Sequence, residues 1–226
     1  MFGTWGLNLQ RRRLLAKLPD NPLRDYYRQA FPSAGSDCRS IEFVALDLET
    51  TGLDPEQDVI LSIGLVTIRG LAIELGSAEH HLLCPHCPIP EQSAVIHCIT
   101  DDQAAEGKDL AEVLPGLLAQ LSGKVMIAHY AAVEMQFLDR ACRKLYGGGF
   151  MIPVVDTQRI AKRSLERRNQ VIRGRDLRLA ECRRRLGLPH YRMHNALSDA
   201  LASGELFLVQ LAQYDGKHKV ALKHFL

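Results

Sequence analysis

The stretch that decides the fold is FVALDLETTG at residues 43–52, where an apolar run leads into two carboxylates spaced two apart. A short apolar run of this kind predicts a buried β-strand. Side chains two apart on a strand project from the same face, so Asp47 and Glu49 converge near the end of that strand. Open α/β sheets place their ligand crevices at this edge. The stretch therefore predicts a central strand with a candidate site at its end.

Two neighbouring carboxylates repel each other and are costly to remove from water. A hard divalent cation such as Mg²⁺ or Mn²⁺ would neutralise them, and oxygen atoms are the ligands that it prefers. The alternative is a pair of structural acids that cap a helix or form salt bridges at the strand edge. The spacing of Asp47 and Glu49 alone leaves both interpretations open.

The periodicity of the remaining sequence predicts an α/β fold. Further strand-like runs occupy residues 59–68, 71–83, 124–128 and 152–155, with a hairpin turn at residues 69–70. Helical spacing covers residues 109–121, a segment ending near 146, and residues 157–167, 175–186 and 195–213. Strands that come first and later alternate with helices predict a mixed sheet packed against helices.

The 226-residue chain is long enough for one sizeable domain with an appendage. We expect a basic N-terminal extension and linker over residues 1–40, the main domain over 41–215, and a C-terminal tail over 216–226. The leucines of the extension are consistent with a helix that covers the domain's own core. They are equally consistent with docking on a partner or on nucleic acid.

Charge is distributed unevenly along the chain. Residues 159–192 hold 12 Lys/Arg against 3 Asp/Glu, whereas residues 41–158 hold 6 against 17. A basic segment beside an acidic one suits a polyanion held near a cation site. The alternative is the solvated face of an arginine-rich helix.

A second candidate for the site is HNALSDA at residues 194–200, where a histidine precedes an aspartate by five residues at the start of a helical pattern. A histidine outside the helix and a carboxylate on its first turn could share one site. The alternative is that Asp199 simply stabilises the helix N-terminus.

Together, DLETTG (47–52), HYAAVEMQFL (129–138) and HNALSDA (194–200) resemble the three motifs of the DEDDh-type, DnaQ-like 3′–5′ exonucleases. That family includes the proofreading epsilon subunit of bacterial DNA polymerase III, and the resemblance extends from about residue 41 to 213. It implies a ribonuclease H-like fold, a central mixed sheet with helices on both faces. The implied activity is hydrolysis from the 3′ end of single-stranded or frayed nucleic acid, with DNA favoured, to release 5′-mononucleotides.

The resemblance also implies a role for each matching residue. Two divalent cations, Mg²⁺ or Mn²⁺, would be held by Asp47, Glu49, Glu134 and Asp199, with Asp47 bridging them. His194 would act as the general base, and Glu49 would also count among the catalytic groups. The implied substrate-binding positions are Leu48 (through its backbone), Thr50, Thr51, His97 and His129. For the last two, a purely structural histidine is an equally good interpretation.

The second motif departs from the family pattern His-Asn-Ala-x-Phe-Asp. Here Tyr130 replaces Asn, Val133 replaces Phe, and Glu134 replaces Asp. The longer glutamate keeps the charge but adds a rotatable bond, so we expect activity to be retained at a metal site that could be weakened or shifted. A weakened or inactive member that binds nucleic acid or a partner is therefore the alternative function, although the retained His194 counts against it.

Cysteine usage and hydropathy limit the remaining classes of protein. The six cysteines show no disulfide framework, and no stretch of about 18 apolar residues suggests a membrane span. Cys84 and Cys87 match the spacing of a zinc or redox pair, but the prolines that follow argue against it. We expect a cytoplasmic protein that binds no membrane. Its expected partners are single-stranded DNA or RNA 3′ ends and a polymerase or another replication or repair protein.

Overall fold

A five-stranded mixed sheet forms the centre of the protein in a computed structural model that describes residues 4–85, 87–97, 99–214 and 219–226. The strands are β1 (Phe43–Thr50), β2 (Ile60–Arg69), β3 (Ala72–Leu82), β4 (Val125–Ala128) and β5 (Val154–Asp156). They are ordered β3-β2-β1-β4-β5. The first three are antiparallel, and β4 and β5 run parallel to β1. The predicted mixed sheet is confirmed.

The helices of the described residues surround this sheet. They are α1 (Thr4–Lys17), α2 (Pro22–Tyr26), α3 (Glu91–His97), α4 (Asp101–Ala105), α5 (Leu110–Leu121), α6 (Ala132–Tyr146), α7 (Thr157–Arg167), α8 (Leu179–Arg185) and α9 (Ala196–Ala212). The helix expected over residues 175–186 is divided into a 3₁₀ turn at Gly174–Leu177 and α8. Across the described ranges, none of these helices has the length and apolar character that a membrane crossing requires.

The two faces of β1 pack against different helices. Its even-numbered residues, such as Leu46, belong to a buried cluster that also contains side chains of α5 and α6. Its odd-numbered residues, such as Ala45, belong to a second cluster with Phe207 of α9. The prediction of helices on both faces is confirmed. Since Asp47 and Glu49 continue the odd-numbered series, they point to the α9 side.

The segment before β1 is part of the core. Leu23 and Tyr26 are at most 1% exposed and lie in the same cluster as Leu46. The Tyr27 hydroxyl donates to the carbonyl oxygen of Gly149 at 2.7 Å and accepts from the backbone N–H of Met151 at 3.0 Å. Residues 23–31 therefore contribute to the domain's own core, in agreement with one of the two interpretations of the extension.

The C-terminal residues also pack against the sheet. Leu222 and Phe225 are fully buried, and the ring of Phe225 meets that of Phe207 edge to face at 5.4 Å. The expected boundary between residues 215 and 216 lies outside the described residues. Both domain boundaries therefore stay predictions.

Candidate active site

The two carboxylates of β1 lie opposite β2 at the sheet's centre. Asp47 pairs with Gly64 and Glu49 pairs with Ser62, and the regular register is interrupted directly after Glu49. Irregularities of this kind re-aim side chains next to active sites. Glu49 is only 5% exposed. Two acids are thus brought together, one of them buried, on the face that α9 covers.

The first turn of α9 brings a third carboxylate to the same place. The side chain of Asn195 caps the helix by accepting from the Ser198 N–H at 3.1 Å. A Cβ at position 64 would lie 2.1 Å from backbone atoms of Ala196, so glycine at that position lets α9 approach β2 closely. Asp199 follows one position after Ser198, and its Oδ2 accepts from the His194 N–H at 2.8 Å.

The ligand atoms form two overlapping groups. Carboxylate oxygens of Asp47, Glu49 and Asp199 all lie within 4.8 Å of one another. Ring nitrogens of His97 and His194 lie within the same distance of each other and of a Glu49 oxygen. Glu49 is common to both groups and therefore stands at the centre of the site.

Glu134, on the first turn of α6, is a fourth carboxylate, and it is 3% exposed. Burial raises its pKa from 4.5 to about 8, and the negative charges of Asp156 and Glu49 add to this effect. It lies outside the two close groups, but its charge acts on Asp47. The pKa of Asp47 is raised well above its usual range by burial and then by Glu134, Glu49 and Asp199.

This set of residues fits a divalent cation. Glu134 Oε2 and Asp199 Oδ1 are buried and accept no hydrogen bond within the described residues. Burial, together with the negative charge of Glu49, also raises the pKa of Asp199 to about 6. Buried acids without donors are unfavourable unless they are protonated or coordinate a cation. Oxygen ligands in this number suit Mg²⁺ or Mn²⁺.

The two histidines differ in their surroundings. His97, at the end of α3, lies in close contact through Nδ1 with Glu49 Oε2. His194 is exposed, and its backbone has a left-handed φ of 67°. The two rings lie edge to face with centroids 6.0 Å apart. His97 is therefore tied to the carboxylate cluster, whereas His194 faces solvent at its border.

The expected nucleotide-contacting positions Leu48, Thr50 and Thr51 lie at the end of β1 and in the turn that follows it. Leu48 is buried in the core, so only its backbone is available to a substrate. Thr50 donates through Oγ1 to the carbonyl oxygen of Gly52 at 2.6 Å, and Thr51 Oγ1 bonds Asp58 Oδ1 at 2.9 Å. Both hydroxyls thus hold the turn after β1. Substrate contact by these three residues stays a prediction.

His129 has both ring nitrogens engaged within the protein. Nε2 donates to the carbonyl oxygen of Leu177 at 2.7 Å, and Nδ1 lies 2.8 Å from the Thr157 hydroxyl. Burial lowers its pKa, which favours the neutral ring with its proton on Nε2. These contacts favour the structural interpretation of His129 over substrate binding.

Asp156, at the end of β5, is a residue that the sequence analysis did not single out. Its Oδ1 accepts from the N–H groups of Gln158, Arg159 and Tyr130 at 3.0, 3.1 and 3.2 Å. It therefore caps α7 and at the same time fixes the turn that leads into α6 and Glu134. Its place in VVDTQ, directly after a strand, is the signal that could have identified it.

The cysteine pair contributes nothing to this site. Neither Cys84 nor Cys87 belongs to a group of possible metal ligands among the described residues. Two further candidates for a zinc site, His86 and Cys98, lie outside the described residues.

Comparison with known proteins identifies the family. The family model described as Exonuclease matches residues 44–207. The PolC-type DNA polymerase III of Thermotoga maritima is 36% identical over 74% of this chain, which spans only 12% of that polymerase. The DNA polymerase III subunit epsilon of Treponema pallidum is 27% identical over 81% of this chain and 83% of that subunit. Among solved structures, the nuclease domain of 3′hExo, a DEDDh family member bound to rAMP, superimposes with a TM-score of 0.64 and 16% identity. The superposition covers 82% of this chain and 98% of that domain.

The chain therefore belongs to the exonuclease family, with the ribonuclease H-like fold of the DEDDh exonucleases. The predicted membership of an exonuclease family is confirmed, and the predicted fold agrees with that of the DEDDh exonucleases.

Proposed function

We propose that this protein removes 5′-mononucleotides from the 3′ ends of single-stranded or frayed DNA, with two divalent cations, Mg²⁺ or Mn²⁺, as cofactors. The observation that carries the proposal is the close set of Asp47, Glu49 and Asp199, which shares Glu49 with the two histidines. Together with Glu134, these carboxylates would hold the cations. When bound, the cations supply positive charge to the phosphate and to the attacking and leaving oxygens.

His194 is the proposed general base. A ring nitrogen of His194 would take the proton from the attacking water, the role that histidine most often serves in general base catalysis. Its ring is exposed, so water and substrate can reach it. Asp199 positions this residue by accepting its backbone N–H, and the capped first turn of α9 holds both together. His97 would orient Glu49 through the close contact between His97 Nδ1 and Glu49 Oε2.

The arginines of the basic segment, residues 159–192, include some that are paired within the protein and others that are exposed to solvent. Arg183 is 2% exposed, donates to the Ala202 carbonyl oxygen and pairs with Glu205. Arg184 and Arg185 pair with Glu181. By contrast, five exposed arginines have no ion pair among the described residues: Arg167, Arg168, Arg173, Arg175 and Arg178. These five are the proposed contacts to the phosphates of a single strand.

The relatives named as DNA polymerase III proteins support DNA as the substrate and a replicative polymerase as the partner. Because the chain spans only a small part of the PolC-type polymerases, both are proposals, as is a cytoplasmic location. The solved relative bound to rAMP makes RNA the alternative substrate that an assay must include.

The test is a gel assay of 5′-labelled single-stranded DNA and RNA with Mg²⁺ or Mn²⁺. We expect a ladder that shortens from the 3′ end, disappears in chelator, and is reduced about 10²-fold or more by Asp47→Ala. Asp20→Ala removes an exposed acid outside the site and serves as the matched control. Glu134→Asp, which restores the family's residue, should shorten the substrate faster than the natural sequence.

If neither nucleic acid shortens while single strands still bind with and without Mg²⁺, the catalytic assignments are wrong. The protein would then be the inactive binding module that the altered second motif suggests. If RNA shortens much faster than DNA, the substrate assignment fails while the catalytic assignments stand.

A further inference from the structure

Tyr130 joins β4 to α6 in a backbone conformation that is unusual for its residue type. Its φ is 69°, in the left-handed region, where bulky residues are uncommon and asparagine is several-fold enriched. The related motif carries asparagine at this position. Tyrosine thus replaces a residue that would adopt the same conformation more readily.

The other residues with a left-handed backbone show where this conformation occurs in the protein. Within the described ranges, the non-glycine residues with positive φ are Tyr130, Leu71, Asn169 and His194. Leu71 lies in the β2–β3 turn and Asn169 follows the end of α7. His194 borders the carboxylate cluster. His194 and Tyr130 are the two of these residues that closely precede a helix carrying a site carboxylate, and strained residues cluster at functional sites.

The register of the parallel strands places Tyr130 at the edge that holds the site. Ala45 of β1 pairs with Ile127 of β4. Asp47 follows Ala45 by two residues and Tyr130 follows Ile127 by three, so both lie towards the same edge of the sheet. Asp156 ends the next strand and accepts the Tyr130 N–H at 3.2 Å. Four residues later, the same turn leads to the buried Glu134. The backbone of Tyr130 is therefore fixed at the edge of the sheet that also carries the carboxylates.

The ring of Tyr130 has no structural task in the described parts of the chain. It is 52% exposed, and it makes no aromatic contact and no hydroxyl hydrogen bond there. An exposed aromatic ring on a fixed backbone is what proteins use to stack the bases of a single strand, because every base presents a flat face.

We propose that the Tyr130 ring is a stacking platform for a nucleobase at the 3′ end of the substrate. The enzyme would thereby distinguish ends that carry a base from abasic ends. This inference rests on the proposed function and adds a specificity-determining residue to it.

The test measures binding in the Asp47→Ala background with Mg²⁺, so that the oligonucleotide stays intact. The probes are a fluorescein-labelled single-stranded DNA ending in 2-aminopurine and the same DNA ending in an abasic nucleotide. We expect about 5- to 150-fold tighter binding of the end that carries a base, together with quenching of 2-aminopurine. Tyr130→Ala should remove both effects, whereas Tyr130→Phe, which keeps the ring, should retain them.

Tyr130→Asn separates recognition from folding. Asparagine adopts the left-handed conformation readily, so this variant should be at least as stable to heat while it loses discrimination between the two ends. Equal binding of the two probes by the background protein overturns the proposal, as does discrimination that survives in the Ala or Asn variant. Cleavage by the natural sequence tests the proposed function separately. A protein that discriminates but does not cleave would support the role of Tyr130 and contradict the catalytic assignments.

Discussion

At the scale of single residues, the site is dominated by buried carboxylates that lack compensating donors. Glu134 and Asp199 have pKa values of about 8 and about 6, and burial is the largest cause for both. The protein therefore folds with its acids in an environment that favours protonation or a bound cation. The free energy of unfolding should therefore depend on both pH and divalent cations.

We predict that the metal-free protein loses stability as pH rises from 5.5 to 8.5. The folded-state pKa of Glu134 is raised from 4.5 to about 8, so its stabilising contribution is complete below 4.5 and is lost as pH rises through about 8. Replacement by an uncharged residue, Glu134→Gln, should reduce the difference in the free energy of unfolding between the two pH values by on the order of 1–3 kcal/mol. Urea unfolding in chelator measures this difference.

The control for this prediction is Glu56→Gln, which changes an acid in an exposed ion pair with Arg140. Asp47, Glu49 and Asp156 surround Glu134, and Asp47, whose pKa is also raised, contributes to the pH dependence of the natural sequence. Mg²⁺ should flatten the dependence, because a cation favours the ionised acids. An unchanged difference in Glu134→Gln would contradict the prediction.

At the scale of elements, the site depends on how closely α9 packs on the sheet. The start of α9 lies directly over Gly64, the strand partner of Asp47. Asp199 reaches the carboxylates of β1 only because no side chain intervenes at that position. A glycine in the middle of a strand, which usually weakens it, is explained here by the close approach of another backbone.

We predict that Gly64→Ala displaces α9 and impairs catalysis. Its Cβ would lie 2.1 Å from the backbone of Ala196, a distance that requires the helix to move. Overpacking of this kind costs about 1–3 kcal/mol of stability. The nuclease rate should fall at least about 10²-fold, as expected for a site misplaced by roughly 1 Å. Thermal unfolding and the gel assay measure the two effects.

Gly76→Ala is the matched control, because a Cβ on this β3 glycine meets nothing within 4 Å. It should change neither the unfolding temperature nor the rate appreciably. If Gly64→Ala were as active as Gly76→Ala, the close packing of α9 would not be what positions Asp199.

At the scale of the whole molecule, the segment before β1 is a structural part of the domain. Tyr26 and Tyr27 are fully buried, and their rings meet at 4.8 Å. Their hydroxyls bond to backbone groups of the loop between α6 and β5. These contacts link residues 26 and 27 to the loop that leads into the strand ending in Asp156.

We predict that Tyr27→Phe lowers the free energy of unfolding by about 1–3 kcal/mol, because it leaves the Met151 N–H and the Gly149 carbonyl without their partner. Tyr146→Phe is the control, since the Tyr146 hydroxyl makes no hydrogen bond among the described residues. Urea unfolding at fixed pH measures both variants. Equal stability of the two would show that residues 22–31 do not hold the loop through this hydroxyl.

The sequence by itself determined the strands, the main helices and the family, because strand and helix periodicities and three motifs are local patterns. It also singled out Asp47, Glu49 and Asp199, whose spacing within each motif carries the signal. Only the tertiary structure decided which groups meet. His97, Asp156 and Gly64 acquire their positions from strand register and from the close packing of α9, which no local pattern encodes. The second motif shows the same limit: the sequence shows the replacement at Tyr130, but its strained backbone and exposed ring follow from how β4, α6 and β5 meet.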